Sequence, residues 1–135
     1  KNMKGILLVT HGSLCQGIYE SCEMIIGEKE NIYTLSLDEE GVELFRHKLE
    51  ERLSQIEAIY DDIIIVTDIP NATPYNECCR YILSHQSSAK LLSGMNLAMV
   101  IELAIFASTD IQNEELCLQV LESARQSLTK FEKHV

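Results

Sequence analysis

Four short apolar runs, each giving way to a longer amphipathic stretch, constrain this chain more than any other feature. Residues 6–9 (Ile-Leu-Leu-Val) and 63–67 (Ile-Ile-Ile-Val-Thr) are uniformly apolar or β-branched, and 32–37 and 89–93 are less uniform relatives of the same kind. Such runs fit strands of a parallel sheet, and the first and third read as central strands buried on both faces. Between them apolar residues recur at helical spacing. Leu14, Ile18, Cys22 and Ile25-Ile26 lead to Gly27, with Ser13 ahead of them as a natural N-cap. Val42, Phe45, Leu49, Leu53 and Ile56 make the inner stripe of 42–59, with Glu43, Arg46, Lys48, Glu50, Glu51 and Arg52 outside. A third helix is expected over 75–85, with Thr73 as cap, Pro74 as an early helical residue, and Cys78, Tyr81 and Ile82 inward. Two more follow. Residues 97–108 carry Glu102 as their one charge, and 113–127 place Leu116, Val120, Leu121 and Ala124 on one side. Strands alternating with helices across short loops imply right-handed crossovers. The expected fold class is therefore α/β: a single-domain, open, doubly wound sheet of four parallel strands flanked by helices. Residues 128–132 are a weak candidate for a final edge strand, and the nearly all-apolar helix at 97–108 suggests burial against another subunit.

At 135 residues the chain supports one well-buried core. Its 46% hydrophobic and 24% charged content is that of a globular protein rather than a disordered one. No apolar run approaches the roughly 20 residues that span a bilayer, and no basic, signal-like leader is seen. Met3 is expected as the natural start, with Lys1-Asn2 a remnant ahead of it, so one domain is placed at 3–135. A formal charge of −10, from 21 acidic against 11 basic residues, argues against nucleic acid and favours small-molecule chemistry or a basic protein partner. The cysteines, Cys15, Cys22, Cys78, Cys79 and Cys117, are odd in number and lack C-x-x-C spacing. They read as core thiols in a reducing cytoplasm, and no His/Cys cluster has the spacing of a metal site.

Polar residues collect where the runs end: Thr10-His11-Gly12, Asp68 with Asn71-Ala72-Thr73, and Ser93 with Asn96. In open α/β sheets ligands gather at the carboxyl ends of strands. His11 supplies a titratable imidazole there, beside a glycine that permits a sharp turn. If the first and third runs are adjacent, Asp68 projects from the same edge. It can then accept a hydrogen bond from one ring nitrogen and leave the other free as a nucleophile. The Asn71-Ala72-Thr73 turn and its helix start would offer N–H groups and a hydroxyl to an anion. Such an edge could hold a phosphoryl group on the histidine. The plainer alternative is a histidine filling a βα turn and an aspartate capping a strand. His47, among charges, reads as a solvated helix residue, and His85 as a helix C-terminal cation. No G-x-x-x-x-G-K-[ST] loop or G-x-G-x-x-G fingerprint supports nucleotide binding, and no cofactor is expected.

Longer stretches bring in a resemblance. Thr10-His11-Gly12, Gly27-Glu28-Lys29-Glu30-Asn31, Asp68 through Asn76 (Asp-Ile-Pro-Asn-Ala-Thr-Pro-Tyr-Asn) and Ser93 through Glu102 (Ser-Gly-Met-Asn-Leu-Ala-Met-Val-Ile-Glu) resemble the IIA component of the mannose-type (mannose/fructose/sorbose) sugar phosphotransferase systems. The resemblance runs in register over nearly the whole chain. It implies that His11 accepts a phosphoryl group from the phosphocarrier HPr on Nε2 and passes it to a IIB component, with Asp68 orienting the ring through Nδ1. Thr10, Gly12, Asn71, Ala72, Thr73, Ser93 and Asn96 would line the site, Thr73 as a phosphate contact. It further implies a cytoplasmic homodimer exchanging a C-terminal antiparallel edge strand, and indirect service to membrane IIC and IID components. Two departures stand out: Asn71-Ala72 replace the family's usual paired glycines, and Ala98 replaces a common proline. They leave two rival expectations, a regulatory domain phosphorylated at His11 and an inactive oligomeric α/β domain.

Overall fold

The two most uniformly apolar runs become the central strands. β1 (Gly5–His11) and β3 (Ile63–Thr67) pair in parallel from Gly5↔Ile63 to Val9↔Thr67. β2 (Ile32–Leu37) lies outside β1 and β4 (Lys90–Ser93) outside β3, giving the all-parallel order β2-β1-β3-β4. The structure is a computed structural model that describes residues 3–134. The expected remnant, Lys1-Asn2, and Val135 at the end of the expected domain lie outside the described residues.

Successive side chains of each strand go to opposite faces, and helices cover both. On one face Ile6, Leu8, Ile64, Val66 and Leu92 meet α1 (Leu14–Ile26), α4 (Leu97–Phe106) and α5 (Asn113–Gln126) through Cys15, Cys22, Met99, Val100, Leu103, Leu116 and Val120. On the other, Leu7, Val9, Ile63 and Ile65 meet α2 (Val42–Glu57) and α3 (Thr73–His85) through Phe45, Leu49, Leu53, Ile56, Cys78 and Tyr81. Cys78 sits so deep that burial, reinforced by Cys79 and Glu77, pushes its thiol up to about 12, which makes it an inert packing residue.

Several local expectations need correction. α1 buries Cys15 and Cys22, with Ile18, Tyr19 and Ile26 packed alongside; Leu14 and Ile25 face solvent, because the inward stripe begins one residue later than the apolar count suggested. Ser13 makes no side-chain cap; the hydroxyl of Thr10 takes the Cys15 N–H instead, at 2.9 Å. Thr73 is the first residue of α3, and extended Ala72 precedes it as the cap position. Val42 is exposed at its helix start. The apolar α4 is largely covered within the chain, wedged between the sheet, α1 and α5, although Ile105 stays exposed. Residues 128–134 form no strand in the single chain, where Leu128 and Phe131 are 76% and 86% exposed.

Two polar clamps fasten the layers. Arg46, expected outside, turns inward so that Nε and Nη2 donate to the two carboxylate oxygens of Glu77 at 2.8 and 2.9 Å, joining α2 to α3. This fork geometry suits a guanidinium and carboxylate. At the opposite end of the sheet from His11, buried Lys4 donates to Asn113 Oδ1 at 2.8 Å and pairs with Asp62 at 3.6 Å. Gly5 is required for a different reason. A Cβ there would stand 2.8 Å from the Tyr60 ring and 3.0 Å from Ile56, whereas one at Gly17 on α1 would meet nothing within 4 Å.

Alanine should therefore act with opposite sign at the two glycines. We expect Gly5→Ala to lower stability by about 1–3 kcal/mol through overpacking, and Gly17→Ala to raise it by roughly 0.5–1 kcal/mol through helix propensity, both read from urea midpoints. Glu77 sets a pH signature. Its hydrogen bonds from Arg46 outweigh burial and hold it below the ordinary carboxylate value of 4.5. Its stabilising contribution is thus complete above that value and lost as pH falls through the lowered one. Glu77→Gln should flatten the acid limb of stability against pH, and an unchanged limb would contradict this.

Candidate functional site

Parallel pairing of the central strands delivers the site. His11 is the last residue of β1 and Asp68 the first after β3, so both emerge at one carboxyl edge. Asp68 Oδ2 accepts the backbone N–H of His11 at 2.9 Å and lies 2.8 Å from His11 Nδ1; Oδ1 accepts the Ile69 N–H at 2.9 Å. The Asp68 side chain is only 11% exposed while the imidazole is 48% exposed. Burial works to raise the carboxyl, but the bonds from the His11 ring, the His11 amide and the Ile69 amide prevail and hold it below its ordinary value. An ionised carboxylate can only accept, so Nδ1 carries the proton toward Asp68. In the neutral ring Nε2 is then the nitrogen with the free lone pair, and the ring is half open to solvent.

The turn behind His11 is fixed at several atoms. Gly12 takes φ +56°, a left-handed value natural to glycine, and its N–H donates to Leu37 O at 2.7 Å. Thr10, fully buried, donates to Gly12 O at 3.1 Å and accepts from Cys15 N–H at 2.9 Å. On the other side, Asn71 takes φ +64° while Ala72 is extended at φ −114°. The Asn71-Ala72 pair in place of glycines is accommodated because only its first member is left-handed, and asparagine tolerates that region. Ala72 precedes Thr73 and Pro74, so this helix start also belongs to the His11 edge.

Of the remaining expected site residues, Ser93 stays on this carboxyl edge and Asn96 turns to the scaffold. Ser93 ends β4 opposite Thr67, and the chain after it is tied back to β3 by Gly94 N–H to Asp68 O at 3.1 Å and Met95 N–H to Thr67 O at 3.2 Å. Asn96 serves the scaffold: its Oδ1 accepts from Met99 N–H at 2.9 Å, capping α4, and its Nδ2 reaches Ser127 Oγ at 3.2 Å at the end of α5. His47 is exposed, and His85 stacks on Tyr81 at 4.0 Å near the end of α3. Among the described residues no group of three His, Cys, Asp or Glu could hold a metal ion, and no helix is long and apolar enough to cross a membrane. A cleft of about 560 Å³ runs between β2 and α2 past Ser36, Lys48 and Arg52, and neither His11 nor Asp68 lines it. The histidine stands on an open rim, accessible to a protein surface. Sequence reasoning missed the capping role of Thr10 and the Arg46–Glu77 fork. The signals were faint: a polar residue closing an apolar run, and a lone acid on the inner stripe of α3.

Comparison with known proteins agrees with this geometry. The mannose-specific EIIAB component of the phosphotransferase system (PTS) of Escherichia coli K12 is 22% identical over 124 residues, which are 91% of this chain and 38% of that protein. The chain thus spans well under half the length of that relative. The fructose-specific EIIA component of Bacillus subtilis is 27% identical over 101 residues, 74% of this chain and 68% of that one. The mannose/sorbose-specific IIA subunit from Enterococcus faecalis shares the fold, with a TM-score of 0.84 and 22% identity over 98% of both chains. The family described as "PTS system fructose IIA component" matches residues 5–121, from the start of β1 well into α5 and so across both His11 and Asp68, and the chain belongs to that mannose/fructose-type IIA family.

Proposed function

We propose that the chain is a phosphohistidine carrier of a sugar phosphotransferase system, taking a phosphoryl group from phospho-HPr on His11 Nε2 and giving it to a IIB component. The observation that carries this reading is the Asp68–Nδ1 hydrogen bond at 2.8 Å on a half-exposed imidazole. In the forward step the Nε2 lone pair attacks phosphorus, the bond from phosphorus to the donor's leaving atom breaks, and a P–Nε2 bond forms. No proton has to move. The ring keeps its Nδ1 proton and becomes cationic, and the Asp68 carboxylate offsets that charge where it appears. In the return step the acceptor's nucleophile attacks phosphorus and His11 leaves as a neutral imidazole. The same carboxylate thus serves both directions, as a carrier requires.

Thr73 and the N-terminal turn of α3, which begins five residues beyond Asp68, are the groups we assign to the phosphoryl oxygens, since the first amides of a helix are favourable to anions. A chain of formal charge −10 with exposed Asp38, Glu39 and Glu40 after β2 suits partners with a basic contact face. The cytoplasm is the compartment of such a carrier, serving membrane IIC and IID components through IIB. We assign the exposed Leu128 and Phe131 to a homodimer in which residues 128–132 are exchanged as an edge strand; a monomeric mass by light scattering would remove that assignment.

Incubation with phosphoenolpyruvate, enzyme I and HPr should label the wild-type chain, and His11→Ala should abolish the label. Asp68→Asn should retain the acceptor atom and slow labelling by roughly 10–100-fold through lost orientation. Labelling of the His11→Ala chain at the wild-type level would overturn the reading. Transfer from the labelled chain to a IIB component separates a transport carrier from a regulatory domain, which would hold its phosphate.

A further inference from the structure

We infer that Thr10 is a positioning residue for His11: its buried hydroxyl locks the β1–α1 turn so that the imidazole is held against Asp68 in a single tautomer. Thr10 is 0% exposed and lies inside the sheet, in register with Ser36 of β2. Threonine closing an apolar strand needs partners for its hydroxyl, and both of its capacities are used. It donates to Gly12 O at 3.1 Å and accepts from Cys15 N–H at 2.9 Å. These partners stand two and five residues ahead, on either side of the turn. The hydroxyl therefore spans the bend that carries His11 from strand to helix, replacing the cap that Ser13 does not provide.

The consequence for the ring follows from what else the turn holds. The His11 amide donates to Asp68 Oδ2, the Gly12 amide to Leu37 O, and the Gly12 carbonyl receives the Thr10 hydroxyl. Two of these anchors hold the peptide groups on either side of His11 through its own amide and that of Gly12, and any residue at position 10 would leave them possible. The third holds the next peptide, Gly12–Ser13, at the turn. It exists only with a hydroxyl at position 10. Valine has nearly the shape of threonine, so Thr10→Val deletes that anchor with little change in volume. It leaves the Cys15 N–H without its acceptor and Gly12, at φ +56°, free to flip its carbonyl. A ring shifted by a fraction of an ångström against Asp68 Oδ2 loses the bond that decides which nitrogen is free.

The rate part of this inference rests on His11 being the phosphoryl acceptor and the ring geometry does not, so two separate readouts keep the failures apart. The first is the His11 ring in long-range ¹H–¹⁵N spectra without any donor. The wild type should show one Nδ1–H form with a proton sheltered from exchange, Thr10→Val a mixture of tautomers, and Thr10→Ser the wild-type pattern. The second is the labelling rate at saturating phospho-HPr. It should fall roughly 10–100-fold in Thr10→Val and recover in Thr10→Ser. A folded Thr10→Val chain with the wild-type ring spectrum and rate overturns the inference, as does a folded Thr10→Ser chain that fails to restore them. Should the valine chain not fold, the wild type decides: a Thr10 hydroxyl proton in slow exchange with a cross-peak to Gly12 supports the lock, and rapid exchange overturns it. If the wild type takes no label while its ring spectrum follows Thr10 as described, the carrier reading falls and the positioning role stands.

Discussion

One carboxylate joins the two halves of the central sheet at the edge proposed to carry the phosphoryl group. Asp68 is anchored by the Ile69 amide on its own strand end and receives two N–H groups from His11 across the strand pair. It needs to be ionised to accept all three, and those bonds keep it ionised against the burial that opposes them. The interaction works only because β1 and β3 are adjacent and parallel, which brings their carboxyl ends together. Everything else in the fold supports that adjacency. The apolar runs fix which strands are central, the helices seal both faces, and the arginine fork and buried lysine pin the helices at the periphery.

A site of this kind asks for rigidity in the backbone and openness at the ring. Phosphoryl transfer between proteins needs a nucleophile that two different surfaces can reach, so a deep pocket would be a hindrance. It also needs a ring whose free nitrogen is decided beforehand, since a tautomer change at each encounter would waste productive collisions. The His11 edge meets both demands. The imidazole is half exposed while the groups that orient it, Asp68 and Thr10, are nearly or fully buried. The departure at Asn71-Ala72 leaves that arrangement intact, because the one left-handed position is occupied by a residue able to adopt it.

Much of this was legible in the residues themselves. Uniformly apolar runs at 6–9 and 63–67 announce central parallel strands, and if those strands are neighbours the polar residues that end them share an edge. The pattern pointed to His11 and Asp68 on that condition, and the family resemblance carried the pairing further. What escaped is physically different in kind. Thr10 caps an amide five residues ahead across a turn, whereas Ser13, immediately before the helix, has the local look of a cap and makes no such bond. Arg46 and Glu77 meet across 31 residues, a distance over which local spacing carries no information. The apolarity of α4 correctly signals burial but cannot say by what, and α1 and α5 of the same chain supply most of the cover.

The central claim is that Asp68 chooses the nucleophilic nitrogen. It is tested most directly by locating the phosphate on the labelled chain through ³¹P–¹⁵N correlation of the His11 ring. The account predicts a P–Nε2 bond with the proton retained on Nδ1 facing Asp68. A phosphate on Nδ1, or on a residue other than His11, would contradict it.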